Sequence, residues 1–151
     1  MSKYNSLLQE MPCWTLVITS IGFFIPALIA AQMKKHKEKI IISALASTSV
    51  LYHGTIHPLA RFIDTCVAHF AAILFLSGGV RDFLKYKRVY DVIPITLSGI
   101  SIIMYYTKSL RIDHEDTSRK WHMGVHLTAQ AALLIFLKTQ PQHQPQDLYL
   151  P

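Results

Sequence analysis

The stretch RKWHMGVHLTAQAALLIFL, Arg119 to Leu137, is wholly apolar over its last seven residues, yet it opens with two histidines four residues apart. A helix rises about 1.5 Å per residue with 3.6 residues per turn, so His122 and His126 fall on one face, roughly 6 Å apart along the axis. That spacing lets two imidazoles chelate one ion jointly. The apolar half is long enough to enter hydrocarbon. A membrane segment that begins with a paired-histidine face sets both expectations for the chain, its fold and its chemistry.

Outward from this stretch the pattern repeats. Of 151 residues, 51% are hydrophobic and 16% charged, and the mean hydropathy of +0.29 is high for a soluble domain. Apolar runs recur at Cys13–Gln32, Ile40–Ile56, Phe62–Val80, Val92–Thr107 and Trp121–Leu137, each near the length that crosses a bilayer. The expectation is an all-α, polytopic transmembrane helix bundle of about five helices, with residues 1–138 forming one transmembrane domain. The first run is too long for a signal-peptide core and lacks close basic residues before it. Asp64 and His69 in the third run, and Pro94 and Gly99 in the fourth, also suit long buried helices. A soluble bundle would leave too little polar sequence for its outer surface. Cys13 and Cys66 read as apolar fillers, with no disulfide.

The net charge of +6 does not indicate nucleic acid, because the basic residues occupy short connectors rather than one polar face. They read as a topology signal. Lys34, Lys35, Lys37, Lys39, Arg81, Lys85, Lys87, Arg88 and Lys138 fall on one side. Lys3, Arg61, Lys108, Arg111, Arg119 and Lys120 fall on the other, with Asp113, Glu115 and Asp116 in the last loop. The bias predicts an outside or lumenal N-terminus and a cytosolic C-terminus. The tail KTQPQHQPQDLYLP, with three prolines, cannot extend the fifth helix, and residues 139–151 are expected to be disordered in the cytosol.

Threading the spans back and forth gathers particular residues at one depth. His53 ends the second span, Asp64 starts the third, and His122 and His126 start the fifth; Ser49 sits one turn deeper than His53. Ionisable groups inside a membrane are costly unless paired or facing a wet cavity. Singly, Asp64 reads as a helix cap, Ser49 as a small packing residue and an interfacial histidine as an anchor. Together, His53, His122 and His126 suit zinc with an open fourth position, where a water is acidified to a pKa of about 7. Asp64 then accepts or orients that water's proton. Ser49 hydrogen-bonds a ligand or the developing oxyanion. His57 is an alternative to His53 or an exposed loop imidazole, and His69 an alternative ligand or a supporting donor. His36, His114 and His143, in connectors or the tail, receive no role.

SVLYH from Ser49 to His53, IDTCVAHF around Asp64, and WHMGVH from Trp121 to His126 resemble the CREST superfamily of membrane hydrolases. That group includes alkaline ceramidases, progestin and adiponectin receptors, and remodelling proteins of GPI anchors. The resemblance covers roughly Ser49–Ala71 and Trp121–Ala132. It implies zinc on three histidines, with serine and aspartate supporting hydrolysis of a lipid amide or ester. Family members look seven-spanning, whereas this chain has room for about five, and it carries no acidic N-terminal motif like that of the ceramidases. A shortened member would have an open cleft facing lipid, be completed as a homodimer, or keep metal for stability alone.

Three functions compete on the sequence: a zinc-dependent lipid hydrolase, a non-catalytic receptor or scaffold stapled by metal, and a b-type haem carrier. Haem needs two opposed imidazoles with room for a macrocycle, and a helical HxxxH pair is too close for that.

Overall fold

The computed structural model describes residues 12–55, 57–109 and 115–140. Lys3, Arg111, Asp113, His114, His143 and the tail from residue 141 lie outside the described residues, as do the side chains of Glu115 and Asp116. Six α-helices follow in order: α1 (Trp14–Ile21), α2 (Phe24–Gln32), α3 (His36–Thr55), α4 (Pro58–Tyr86), α5 (Val92–Met104) and α6 (Glu115–Thr139). A 3-10 turn at Val89–Asp91 leads into α5, and a π-helical turn at Tyr105–Ser109 ends it. No strand occurs among the described residues.

α1 and α2 form one rod with an interruption. Pro26 has no N–H, and its ring excludes an ordinary helical carbonyl four residues earlier, at Gly22. The chain answers with two tight i to i−3 bonds, Phe23 N–H to the Ser20 carbonyl and Ile25 N–H to the Gly22 carbonyl, each 3.1 Å. Counting that rod once, the bundle has the expected five rods.

Helix boundaries have local causes. His57 caps α4, its Nδ1 accepting from Leu59 N–H at 3.2 Å, with Pro58 in the first turn where a missing N–H costs nothing. The same helix ends at Lys87 in the left-handed region, φ 53°, with its N–H donating to the Phe83 carbonyl.

α6 packs on α5, α1 and α2, while α3 packs on α1, α2 and α4. Polarity runs inside out. Trp14, Ile18, Leu28, Phe62, Ile73 and Ile103 are all more than 60% exposed, whereas Ser20, Ser49, His53, Ser101 and His126 are buried. An apolar exterior of this extent suits hydrocarbon, not water. Three stretches are long and apolar enough to cross a membrane: Trp14–Gln32, Pro58–Tyr86 and Val89–Ser109. The third and fourth runs, which the polar residues seemed to weaken, are among these, because α4 is 29 residues long and its apolar half dominates. α3 and α6 are the less apolar rods, since they carry the histidines and polar first turns.

The rods reverse so that the two ends of the bundle differ. At one end, the start of α1, the end of α3, the starts of α4 and α6 and the π turn meet; this is the histidine end. The other end holds the basic connectors and the main apolar cluster of Phe23, Ala27, Ala30, Ile42, Leu45, Ala46, Ala71, Phe75, Leu133, Phe136 and Leu137. Alanines at its seams let helices approach closely. Lys35 Nζ donates to the Leu137 carbonyl at 2.5 Å, tying the α2–α3 connector to the last turn of α6. Burial lowers the Lys35 pKa from the ordinary lysine value, against the opposing pull of Glu38 and Asp82.

Candidate metal centre

His53 lies in the last turn of α3, and His122 and His126 occupy one face of α6. Their rings converge edge-on, with centroids 5.0 Å (53–122), 5.3 Å (53–126) and 4.9 Å (122–126) apart. One nitrogen from each lies within 4.8 Å of the others, and this trio can hold a metal ion. His53 and His126 are buried, at 1% and 6% exposure, and His122 is half-buried. Nitrogens bound at about 2.0–2.1 Å in a tetrahedron stand roughly 3.3 Å apart. Adjustments on the scale of side-chain rotation therefore close the shell. Three converging rings leave no slot for a macrocycle between any two of them, so the donor set does not suit haem.

Each α6 imidazole is held by a hydroxyl on its outer nitrogen. His126 Nδ1 lies 2.9 Å from Thr19 Oγ1 on α1. The Thr19 hydroxyl donates to the Leu16 carbonyl at 3.0 Å, so its oxygen is left to accept from His126 Nδ1–H, and Nε2 keeps its lone pair. His122 Nδ1 lies 2.9 Å from Ser109 Oγ in the π turn, and the Ser109 carbonyl accepts from Ser118 Oγ. Hydrogen bonds of this kind fix the tautomer and aim of metal-binding imidazoles. His53 is set by the end of its helix, where its carbonyl accepts from Cys13 N–H at 3.3 Å and its ring stacks obliquely on Tyr52 at 4.5 Å.

Phe23 forms the floor. Its ring meets His126 edge-on at 5.5 Å, and it belongs to the apolar cluster beneath. Beside it, the Gln130 side-chain amide donates to the Thr19 carbonyl at 2.6 Å. That amide fits because residue 22 is glycine: a Cβ there would come 2.6 Å from Gln130 Oε1.

The other expected residues take different places. Ser49 is buried one turn below His53, with Oγ 2.9 Å from Ser20 Oγ. Ser20 spends its own hydrogen on the Leu16 carbonyl at 2.7 Å, so Ser49 donates to it. Asp64 accepts from Thr48 Oγ1 at 3.1 Å across the α3–α4 seam, and it is not part of the trio. His57 is the cap of α4 and stands outside the trio. His69 Nδ1–H donates to the Thr65 carbonyl at 2.7 Å, and its Nε2 accepts from the Tyr106 hydroxyl; it too stands outside the trio.

Thr19, Ser109, Phe23 and Gln130 were not singled out from the sequence. A signal for the first two existed, since the parity that aligns the third and fifth spans also brings the start of the first and the end of the fourth to the same depth. No family model, curated protein or solved structure matches this chain.

Proposed function

We propose that this chain is a zinc-dependent intramembrane hydrolase of a lipid amide or ester, a shortened member of the CREST superfamily. The observation that carries the reading is the convergence of three imidazoles from α3 and α6 within 4.8 Å, inside a bundle whose exterior is apolar. His53, His122 and His126 would hold the ion. Zinc on three neutral imidazoles with an open fourth position supplies Lewis acidity and a water-derived nucleophile at neutral pH.

The chain's own groups do the rest. Thr19 and Ser109 hold the two α6 imidazoles by Nδ1, and the Thr19 bond sets His126 in the tautomer that keeps the Nε2 lone pair available. Asp64, with a carboxylate steadied by Thr48, is the acid–base group, taking the proton released on attack and returning it to the leaving group. Ser49, through Ser20, holds α1 against α3, and so holds Thr19 against His126. Phe23 excludes water from below. The excess of basic residues at the opposite end supports a cytosolic lysine end and an outer or lumenal histidine end, with all five rods crossing the bilayer.

Metal analysis of detergent-purified protein, paired with a lipid turnover screen, tests this. The expected result is about one zinc per chain, and loss of both zinc and turnover in His122→Ala. Retention of both in that variant would sink the proposal. Zinc whose removal unfolds the bundle, with no lipid ever turned over, would favour a metal-stapled scaffold.

A further inference from the structure

The three segments that carry the basic residues meet on one surface, at the end opposite the histidines. Lys35, between α2 and α3, is the knot: its ammonium donates to the Leu137 carbonyl of α6, and it stands within electrostatic reach of Asp82 on α4. Around it Lys34, Lys37, Lys39, Lys85, Lys87 and Lys138 are all exposed. The acids of this end do not offset them. Asp82 and Asp91 are buried, the first beside Arg81 at 3.5 Å and the second holding Arg88 by two bonds of 3.0 and 2.9 Å, and Glu38 is half-buried. No exposed carboxylate occurs among the described residues. Lys85 and Lys87 rest over the rings of Tyr86 and Phe83, at 5.0 and 6.0 Å, contacts that use up no hydrogen-bond donor.

Local helix physics does not account for these cations. Lys34 and Lys87 sit in the left-handed region, at φ 57° and 53°, where a Cβ is unfavourable and glycine is the ordinary residue. Lys34 N–H donates to the Ala31 carbonyl at 3.0 Å and Lys35 N–H to the Ala30 carbonyl at 2.8 Å, the paired bonds of a helix end that usually turns on glycine. Lys37 and Lys39 stand in the first turns of α3, where the helix dipole opposes positive charge. Four lysines thus occupy positions that favour another residue, so what they hold in common is the charge they bring to this surface. Their depth is that of lipid headgroups. Lys34 follows the apolar stretch Trp14–Gln32 by two residues, and Lys87 lies between Pro58–Tyr86 and Val89–Ser109. Tyr86, Val89 and Tyr90 are exposed beside it, and tyrosines settle where hydrocarbon gives way to water.

We propose that the lysine end gathers anionic phospholipids, its exposed ammonium groups drawing negatively charged headgroups from the surrounding leaflet into a shell around that end of the bundle. The partner is the bilayer's own lipid, because the lysines ring the ends of apolar stretches, where headgroups are concentrated. Arg81, Arg88 and Lys35 are already engaged and serve as framework. The exposed lysines make the contacts, as mobile point charges that follow a fluid partner. The proposal needs only a membrane-embedded bundle and stands apart from the hydrolase reading.

Spin-labelled phosphatidylserine and phosphatidylcholine with the same acyl chains differ only in the headgroup, one anionic and one neutral overall. The share of each that the full chain immobilises in symmetric phosphatidylcholine vesicles reads the shell directly, whichever way the protein is inserted. Wild type is expected to favour the anionic label roughly fivefold, the effect of one cation close to a charged lipid surface. Salt at about 1 M, where screening acts within roughly 3 Å, should bring the ratio close to one. Lys34→Gly/Lys87→Gly relieves both left-handed residues, so helicity and melting temperature should hold or rise while the preference falls by about half. Adding Lys37→Gln and Lys39→Gln should abolish it, whereas Lys108→Gln/Lys120→Gln, at the histidine end, should leave it unchanged. Equal immobilisation of the two labels by wild type, a preference that survives high salt or the fourfold variant, or an equal loss in the histidine-end pair overturns the proposal. Release of the anionic label by polyglutamate at equal charge concentration would assign the surface to an acidic polypeptide and overturn it as well. Lipid turnover plays no part in this readout, so failure of the hydrolase reading would leave the result standing.

Discussion

The two ends of the bundle are built on opposite rules. At the lysine end, cohesion comes mainly from shape: Phe75 and Phe136 meet edge-on at 5.3 Å, alanines line the seams, and Lys35 adds one directed tie, to the Leu137 carbonyl. At the histidine end cohesion comes from directed polar contacts, Thr19 to His126, Ser109 to His122, Ser49 to Ser20 and Gln130 to the Thr19 carbonyl. α6 belongs to both. Its Leu133, Phe136 and Leu137 are packed, while His122, His126 and Gln130 are hydrogen-bonded or ring-packed. One helix thus anchors a histidine layer on a conventionally packed base, and the division of labour predicts that damage at one end leaves the other intact.

The most severe test removes a ligand. His126→Ala should cut bound metal from about one ion to less than about a tenth per chain while the helices persist, read by metal analysis beside circular dichroism. Loss of helicity in step with metal would mean the two ends are one unit. Next, Phe136→Ala should destabilise the fold by about 3 kcal/mol through the cavity it leaves, measured by denaturant titration in detergent, without altering metal affinity of the folded fraction. Thr19→Val keeps the shape but removes the acceptor on His126, and should weaken metal binding roughly 10- to 100-fold with little change in stability. The mildest change is Gly22→Ala. The added methyl displaces the flexible Gln130 amide from the Thr19 carbonyl, at a stability cost of about 1 kcal/mol and a few-fold loss of metal affinity. If Gly22→Ala hurts more than Thr19→Val, the seam and not the hydroxyl positions His126.

Much of this was legible before any coordinates. Period and length mark five apolar runs, and the reversal of successive spans is enough to bring His53, His122 and His126 to one depth. Their azimuth was not legible, because which face of a rod points inward depends on packing, and that is why His69, an alternative ligand by depth, turns to Thr65 and Tyr106 instead of the trio. The break at Gly22 was readable from Pro26, but a proline inside a long apolar run draws little notice when the run is scored as a whole. Thr19 and Ser109 escaped for a chemical reason: a threonine or serine in an apolar span can satisfy its hydroxyl on its own helix, so its presence alone does not announce a distant partner.

α3 and α6 are the two rods not apolar enough to qualify as crossing segments by length and composition. On the five-span reading, neither would enter the bilayer readily as an isolated segment, because each polar residue near a helix centre adds to the cost of partitioning. The strongly apolar α4 and α5 are their natural escorts during synthesis, α3 pairing with the helix that follows it and α6 with the one that precedes it. On that reading, the segments that carry the histidine trio are the ones that depend on their neighbours to be delivered.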